Sequence, residues 1–257
     1  MLDLLRARLA HGTPTSPFPG PEVALPERFR GRPVFDATRC PDGCRDCASR
    51  VPAGPIRLAP DGTARLDVGA CLFAPDDADA CPHGAVRFSR DVAMGVTARE
   101  DLVTETGAVR LARPLDAATR RVFGRSLRLR SVAAGSCNGC EAELVALGNV
   151  VFDLARFGIQ FVASPRHADG IVLTGAVSRN MHAALLETVE ATPPPRLVIA
   201  VGACAINGGP FRDSPEVLNG VPPELPVDLW IPGCPPHPLT TLDGLLRLLG
   251  RLERNER

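Results

Sequence analysis

Nine cysteines constrain this chain more than any other feature, because eight of them fall into two spaced sets of four. The first set is Cys40, Cys44, Cys47 and Cys81; the second is Cys137, Cys140, Cys204 and Cys234; Cys71 stands outside both. In each set a tight cluster is completed by a distant Cys-Pro, Cys81-Pro82 or Cys234-Pro235. A close run of cysteines with a remote Cys-Pro is a pattern by which proteins hold a cubane iron–sulfur cluster. The chain must therefore bring distant loops to a common point twice, and it reads as an electron carrier with two [4Fe-4S] clusters.

The 257 residues suit one large domain or two small ones, and an apolar content of 45% supports a buried core. A formal net charge of zero argues against nucleic acid as a partner. No apolar run approaches the ~20 residues needed to cross a bilayer. Met1–Ala10 alternates leucines with Asp3, Arg6 and Arg8 and lacks the continuous apolar stretch of a secretory signal, which points to the cytoplasm. In that reducing compartment clustered cysteines serve as metal ligands rather than disulfides.

Leu2, Leu5 and Leu9 share one face of a short N-terminal helix, for which two readings stand: a cap on the next domain, and a contact with a membrane-bound partner. Residues 12–33 are rich in proline and glycine and are expected to run extended over a surface. Residues 34–90 form a compact cysteine-bearing unit with short strands near Ile56–Leu58, Ala64–Val68 and Ala85–Phe88, and a connector follows over 91–125. From Leu127 onward short apolar runs alternate with helical stretches. Strands are expected at Leu127–Ala133, Gln160–Ala163, Ile171–Thr174, Leu197–Val201 and Val227–Ile231, and helices at 139–157, 179–191 and 239–252. That is the pattern of a doubly wound parallel α/β domain, in which a site belongs at the carboxyl ends of the strands. All four cysteines of the second set fall in loops after strands.

The first set becomes clearer against the two-fold run C-x2-C-x2-C-x3-C-P of a bacterial two-cluster ferredoxin, in which the fourth cysteine of each run ligates the other cluster. The first run has Cys40, Cys44 and Cys47, then Val51-Pro52, with the proline kept and the cysteine gone. The second starts at Cys71, has Ala74 and Asp77 at cysteine positions, and ends at Cys81-Pro82. One complete site survives, on Cys40, Cys44, Cys47 and Cys81; the other, needing Val51, Cys71, Ala74 and Asp77, is lost. Cys40 and Cys44 enclose three residues where the run has two, an excess that Gly43 can absorb. Cys71 reads as a buried thiol, and His83 with Asp76, Asp77 and Asp79 as solvated surface. Zinc, which also takes four thiolates, is the alternative metal for this set.

The segments SCNGCE (136–141), SPRHAD (164–169), VGACAINGG (201–209) and IPGCPPHP (231–238) resemble the proximal-cluster subunit shared by respiratory complex I and membrane-bound group 4 [NiFe] hydrogenases. Complex I members carry adjacent cysteines at the first position, and Cys137-Asn138-Gly139-Cys140 is similar to the hydrogenase branch. The resemblance implies a [4Fe-4S] cluster on Cys137, Cys140, Cys204 and Cys234, facing a catalytic large subunit. Residues 1–102, with Gly12-Thr13 and Glu27-Arg28-Phe29-Arg30-Gly31, resemble the ferredoxin-like subunit of formate hydrogenlyase, so the chain looks like a fusion of two such subunits with one cluster lost. The implied organisation is an N-terminal helix and arm (1–33), a ferredoxin-like α+β domain (34–98), a connector (99–126) and the proximal-cluster domain (127–257).

Gly135, Gly139, Gly202 and Gly233 let backbone approach a cluster. Glu141 and Glu143 open a helix, where carboxylates complement the N-terminal dipole, and Glu143 stands where the family has an acid beside the cluster, which implies coupled proton uptake. Arg166 either pairs with cluster charge or caps a turn; His167, His182 and His237 read as surface or supporting residues. The chain carries no catalytic constellation and no nickel-binding cysteine pairs of its own. It is expected to be an electron-transfer oxidoreductase subunit, peripheral on the inner face of the cell membrane. Its expected partners are a hydrogenase or complex I-like large subunit, membrane-arm subunits through that complex, and a redox donor protein. A nickel-free relative that reduces quinone or another acceptor, and a zinc-stabilised non-redox assembly module, are the rival readings.

Overall fold

The computed structural model describes residues 2–20, 23–41, 44–46, 50, 54–59, 63–79 and 81–252. Helix α1 (Leu2–His11) buries none of its residues, and Leu2, Leu5 and Leu9 are 71%, 57% and 83% exposed. It therefore does not cap the following domain, as one reading of its leucines required. The proline-rich arm after it runs extended along the later domain: the Ser16 N–H donates to Val151 O, and Arg156 donates to the carbonyls of Ser16 and Phe18.

The cysteine-bearing unit is built from β1 (Pro33–Phe35), β2 (Ile56–Leu58), β3 (Ala64–Asp67), α2 (Pro75–Asp79), β4 (Val86–Phe88) and β5 (Val103–Thr104). β1 pairs antiparallel with β4, and β2, β3 and β5 form an antiparallel sheet. β3 stops at Asp67, one residue short of the expected end, because the Asp67 carboxylate accepts the Gly69 N–H and turns the chain. Phe35, Ile56, Leu66, Val68 and Leu102 bury one another together with Ile206 of the later domain, so this unit packs directly on that domain.

The connector is more structured than its sequence suggests. It supplies β5, and it carries α3 (Ala117–Phe123), whose first amides at Ala118 and Thr119 are accepted by the Asp116 carboxylate. It also ties itself to the later domain through a bridge between Val96 and Trp230 and a bond from the Leu115 N–H to Leu248 O.

The later domain contains β6 (Leu127–Ala133), α4 (Gly139–Ala146), β7 (Ile159–Phe161), β8 (Gly170–Thr174), α5 (Arg179–Ala191), β9 (Leu197–Val201), α6 (Ala203–Asn207), β10 (Leu229–Ile231) and α7 (Pro238–Leu248). All five expected strands are present and pair in parallel in the order β10-β9-β8-β6-β7. Side chains alternate across the sheet: Val172 of β8 joins one apolar cluster with α4 and α7, while Ile171 and Leu173 join another with α5. Helices on both faces make the domain doubly wound.

Two helices are shorter than expected. α4 ends at Ala146 rather than 157 because Gly148 follows and the Asn149 side chain accepts the N–H groups of Val151 and Phe152, closing a turn. α7 ends at Leu248 rather than 252, where Gly250 takes φ +69°. Every residue of α7 is buried, including the Asp243–Arg247 pair at 2.8 Å, where burial raises the Asp243 pKa and Arg247 opposes it. No helix among the described residues is long and apolar enough to cross a membrane.

Candidate metal centre

Register decides where the second cysteine set meets. Ala133, Thr174, Val201 and Ile231 are lateral partners across β6, β8, β9 and β10, so four strands end level. Cys137 and Cys140 follow β6, Cys204 follows β9 and Cys234 follows β10. Counted within the domain, the strand order is 2-1-3-4-5, whose crevice opens between the first and third strands at their carboxyl ends. Here those strands are β6 and β8, and the loop from Ser136 to Cys140 leaves from that point.

Cys137 is exposed, Cys140 and Cys204 are buried, and Cys234 is half-buried. Burial, and then the charges of Cys204, Glu141, Cys234 and Cys137, push the Cys140 thiol far up. Burial, then Cys234 and Cys137, push Cys204 up to about 11. Thiols that raise one another in this way are a donor set for a cation, because ionising them together without one concentrates negative charge. The backbone leaves room on the sulfur side. A Cβ at Gly202, which has φ +92°, would lie 2.6 Å from Cys140 Sγ, and a Cβ at Gly209 would lie 2.8 Å from Cys204 Sγ. Only glycine leaves both sulfurs where they stand, so donor chemistry and space both fit an iron–sulfur group. Gly209 ends the VGACAINGG segment, and its close approach to Cys204 is set by the fold rather than by spacing.

The carboxylates divide. Glu141, in the first turn of α4, takes a hydrogen bond on Oε1 from the Thr174 hydroxyl, and its buried Oε2 has no hydrogen-bond partner among the described residues. Thr174 thus occupies the one level strand end that has no cysteine behind it. Glu143 lines a cavity of about 240 Å³ with Arg28, Phe73, Cys234, His237 and Thr240, and burial raises its pKa. Arg166 and His167 lie in an exposed turn over Pro165–His167, and no hydrogen bond or ion pair among the described residues ties Arg166 to the cysteines. His182 pairs with Glu224 at 2.8 Å. His237 caps α7 by accepting the Leu239 N–H on Nδ1, and its ring lies edge-on to Phe29 and Phe152.

In the first set, Cys40, Cys44 and Cys81 are half-buried, and Cys47 and Gly43 lie outside the described residues. Cys40 and Cys81 pack against the same apolar cluster. The Cys44 N–H donates to Pro41 O at 3.0 Å, and the residues between them that include the expected adjustment at Gly43 lie outside the described residues. Cys44 Sγ also lies with ligand atoms of Asp46 and His83, all within 4.8 Å of one another.

The vacated position corrects the sequence reading. Asp76, Asp79 and His83 are exposed as expected, but Asp77 is only 4% exposed. Its Oδ2 accepts the Leu72 N–H at 2.9 Å, the Ala74 N–H at 3.1 Å and the Cys71 thiol at 3.4 Å. Cys71 is fully buried, and burial first, then Asp77, raises its pKa well above the ordinary value. The charge of Asp77 also reaches Cys234, so the vacated position adjoins the second set.

The profile of the family described as NADH ubiquinone oxidoreductase, 20 kDa subunit, matches residues 137–248, which contain the whole second set. The probable membrane-bound hydrogenase subunit mbhJ of Pyrococcus furiosus is 40% identical over 134 residues, covering 52% of this chain and 80% of that protein. The chain belongs to the 20 kDa subunit family. Formate hydrogenlyase subunit 7 of Escherichia coli (strain K12) is 46% identical over 130 residues, 51% of each protein, so this member spans about half the length of that relative. An NADH-quinone oxidoreductase subunit of Heliobacterium modesticaldum is 44% identical over 115 residues, covering 44% of this chain and 66% of that one. Cys40, Cys44, Cys47 and Cys81 lie outside the stretch matched by the 20 kDa subunit family.

Proposed function

We propose that the chain is an iron–sulfur electron-transfer subunit of a membrane-associated, complex I-like [NiFe] hydrogenase or formate hydrogenlyase. In this reading Cys137, Cys140, Cys204 and Cys234 hold one [4Fe-4S] cluster, and Cys40, Cys44, Cys47 and Cys81 hold another. The observation that supports it most is the level ending of β6, β9 and β10, which brings the cysteine-bearing loops that follow them to one end of the sheet, beside Gly202 and Gly209. The relatives' names, from formate hydrogenlyase, a membrane-bound hydrogenase and NADH-quinone oxidoreductase, support the class of complex.

A bound cluster supplies a one-electron couple whose potential is set by its surroundings. The four cysteines offset its iron charge, and Gly202 and Gly209 keep the backbone close to the sulfurs. Cys137 is the exposed member of the set, so its edge is where a catalytic large subunit approaches. Glu143, whose pKa burial raises, is the carboxyl that takes up a proton in the cavity it shares with Cys234. Residues 34–98 form the unit of the first set and 127–257 that of the second, with 99–126 joining them and 1–33 lying across them. The station lost from the ferredoxin pattern is then the one next to Cys234, where Asp77 and Cys71 now sit. Membrane-arm subunits of the complex hold the chain at the inner face of the membrane, and a redox protein exchanges electrons with the first set.

One observation favours a second reading of the first set alone. Cys44, Asp46 and His83 offer sulfur, oxygen and nitrogen together, a mixture that suits zinc. Iron, acid-labile sulfide and zinc analysis of anaerobically purified protein, with EPR after reduction, separates the readings. Two four-iron sites require about eight Fe per chain. About four Fe with one zinc assigns zinc to the first set, and zinc with no EPR signal sinks the redox reading altogether.

A further inference from the structure

One turn of α6 beyond Cys204, Ile206 and Asn207 line a cavity of about 270 Å³. The small antiparallel sheet contributes Arg57 from β2 and Asp67 from β3, and Arg99, Arg212 and Asn219 complete the lining among the described residues. Among the described residues, three guanidinium groups therefore face one carboxylate in the lining. That carboxylate is committed: Asp67 Oδ2 accepts from Arg99 at 2.7 Å and Oδ1 accepts the Gly69 N–H at 3.0 Å. A second acid among the described residues, Asp213, is 3.7 Å from Arg212 with its side chain 78% exposed, and it also receives the Asn219 amide at 3.1 Å.

Burial first, and then the charge of Arg212, lower the Arg57 pKa, with Arg99 acting in the same direction against Asp67 and Asp213. Arginine does not shed its proton at neutral pH, so like charges held together remain a standing cost that an anion would relieve. Asn207 accepts the Gly209 N–H on Oδ1 and leaves its amide NH2 without a hydrogen bond among the described residues. Planar guanidinium forks match the geometry of tetrahedral oxyanions, and a side-chain amide adds a neutral donor. The volume lies below the roughly 300–1,000 Å³ that drug-sized ligands occupy, which suits a single small ion with bridging water rather than a nucleotide.

We propose that this cavity is a binding site for a small tetrahedral oxyanion of the phosphate class, held by Arg57, Arg99 and Arg212 with the amide of Asn207. The site is independent of the cluster assignment, since none of these residues belongs to either cysteine set.

Titration of the full chain with inorganic phosphate at constant ionic strength, balanced with chloride, tests the site by phosphorus NMR and by the shift in melting temperature. The expected result is saturable binding of one phosphate per chain. Arg212→Glu, at an exposed position, should weaken it at least tenfold without lowering the melting temperature in chloride, since it replaces a repulsion on Arg57 with an attraction. Arg212→Lys, which keeps the charge but loses the fork, should weaken it less. Arg121→Glu, an equal charge change on exposed α3, should leave it intact. Binding that never saturates, that chloride reproduces, or that Arg121→Glu weakens as much as Arg212→Glu does, overturns the proposal.

Discussion

The thiol of Cys71 donates a hydrogen bond to the Asp77 carboxylate at 3.4 Å, and the same oxygen accepts the amides of Leu72 and Ala74. A loop whose amides would otherwise need other acceptors closes instead on a carboxylate. Asp77→Ala should therefore cost about 1–3 kcal/mol, the penalty of stranding one buried and two half-buried donors, measured by urea denaturation. The pH dependence has a definite sign. Burial raises the Asp77 pKa in the folded state, so its favourable contribution is complete below the unfolded value and is lost as pH rises through the raised one. Asp77→Asn, which keeps an acceptor oxygen but cannot titrate, should remove that decline.

Gly202 and Gly139 make opposite predictions although both flank the second set. A Cβ at Gly202 would meet Cys140 Sγ at 2.6 Å on a backbone with φ +92°, whereas one at Gly139 would sit at an ordinary 3.5 Å from Cys137 Sγ. Gly202→Ala should lose about four Fe per chain, one four-iron site, with far-UV circular dichroism retained. Gly139→Ala should keep its iron. Equal iron in the two variants would show that Cys140 is not a ligand.

Thr174 is fully buried and its hydroxyl is bonded to Glu141. Thr174→Val keeps the shape and removes the donor from a carboxylate whose other oxygen already lacks a partner among the described residues. The expected loss is about 1.5–3 kcal/mol, the range for hydrogen bonds to charged groups, read from thermal unfolding. Adding Glu141→Gln to Thr174→Val should recover part of it, since a neutral amide is less costly to bury than an unpaired charge.

The parallel sheet was legible because buried parallel strands are short, apolar and bounded by polar loops, a pattern that β8 and β9 satisfy along their length, while β6 alternates buried Leu127 and Leu129 with Arg128 and Arg130. Helix ends were less legible: Gly148-Asn149 and Gly250 stop α4 and α7 through local turns that a 3.6-residue period does not register. The cysteine loops could be placed after strands from spacing alone. Their convergence depends on the lateral match of Ala133, Thr174, Val201 and Ile231, which is a property of strand register. Asp77 was misread as solvated surface because it lies between Asp76 and Asp79, which are exposed. Its burial follows from the loop that folds around it rather than from its own neighbours in sequence.

Glu143 shares its cavity with Cys234, and burial alone raises its pKa. Folding therefore shifts Glu143 toward its protonated form relative to the unfolded chain. Its proton should be retained above the ordinary glutamate value of about 4.3 and be lost only as pH rises through the higher one. Infrared titration should show a carboxyl carbonyl band that persists above that value and is missing in Glu143→Gln. The variant should also lack the matching share of the pH dependence of stability, which in the wild type falls as pH rises through the raised value. A band that vanishes at the ordinary pH in the wild type would mean that water screens Glu143 fully, and it would remove this residue as the proton holder beside Cys234.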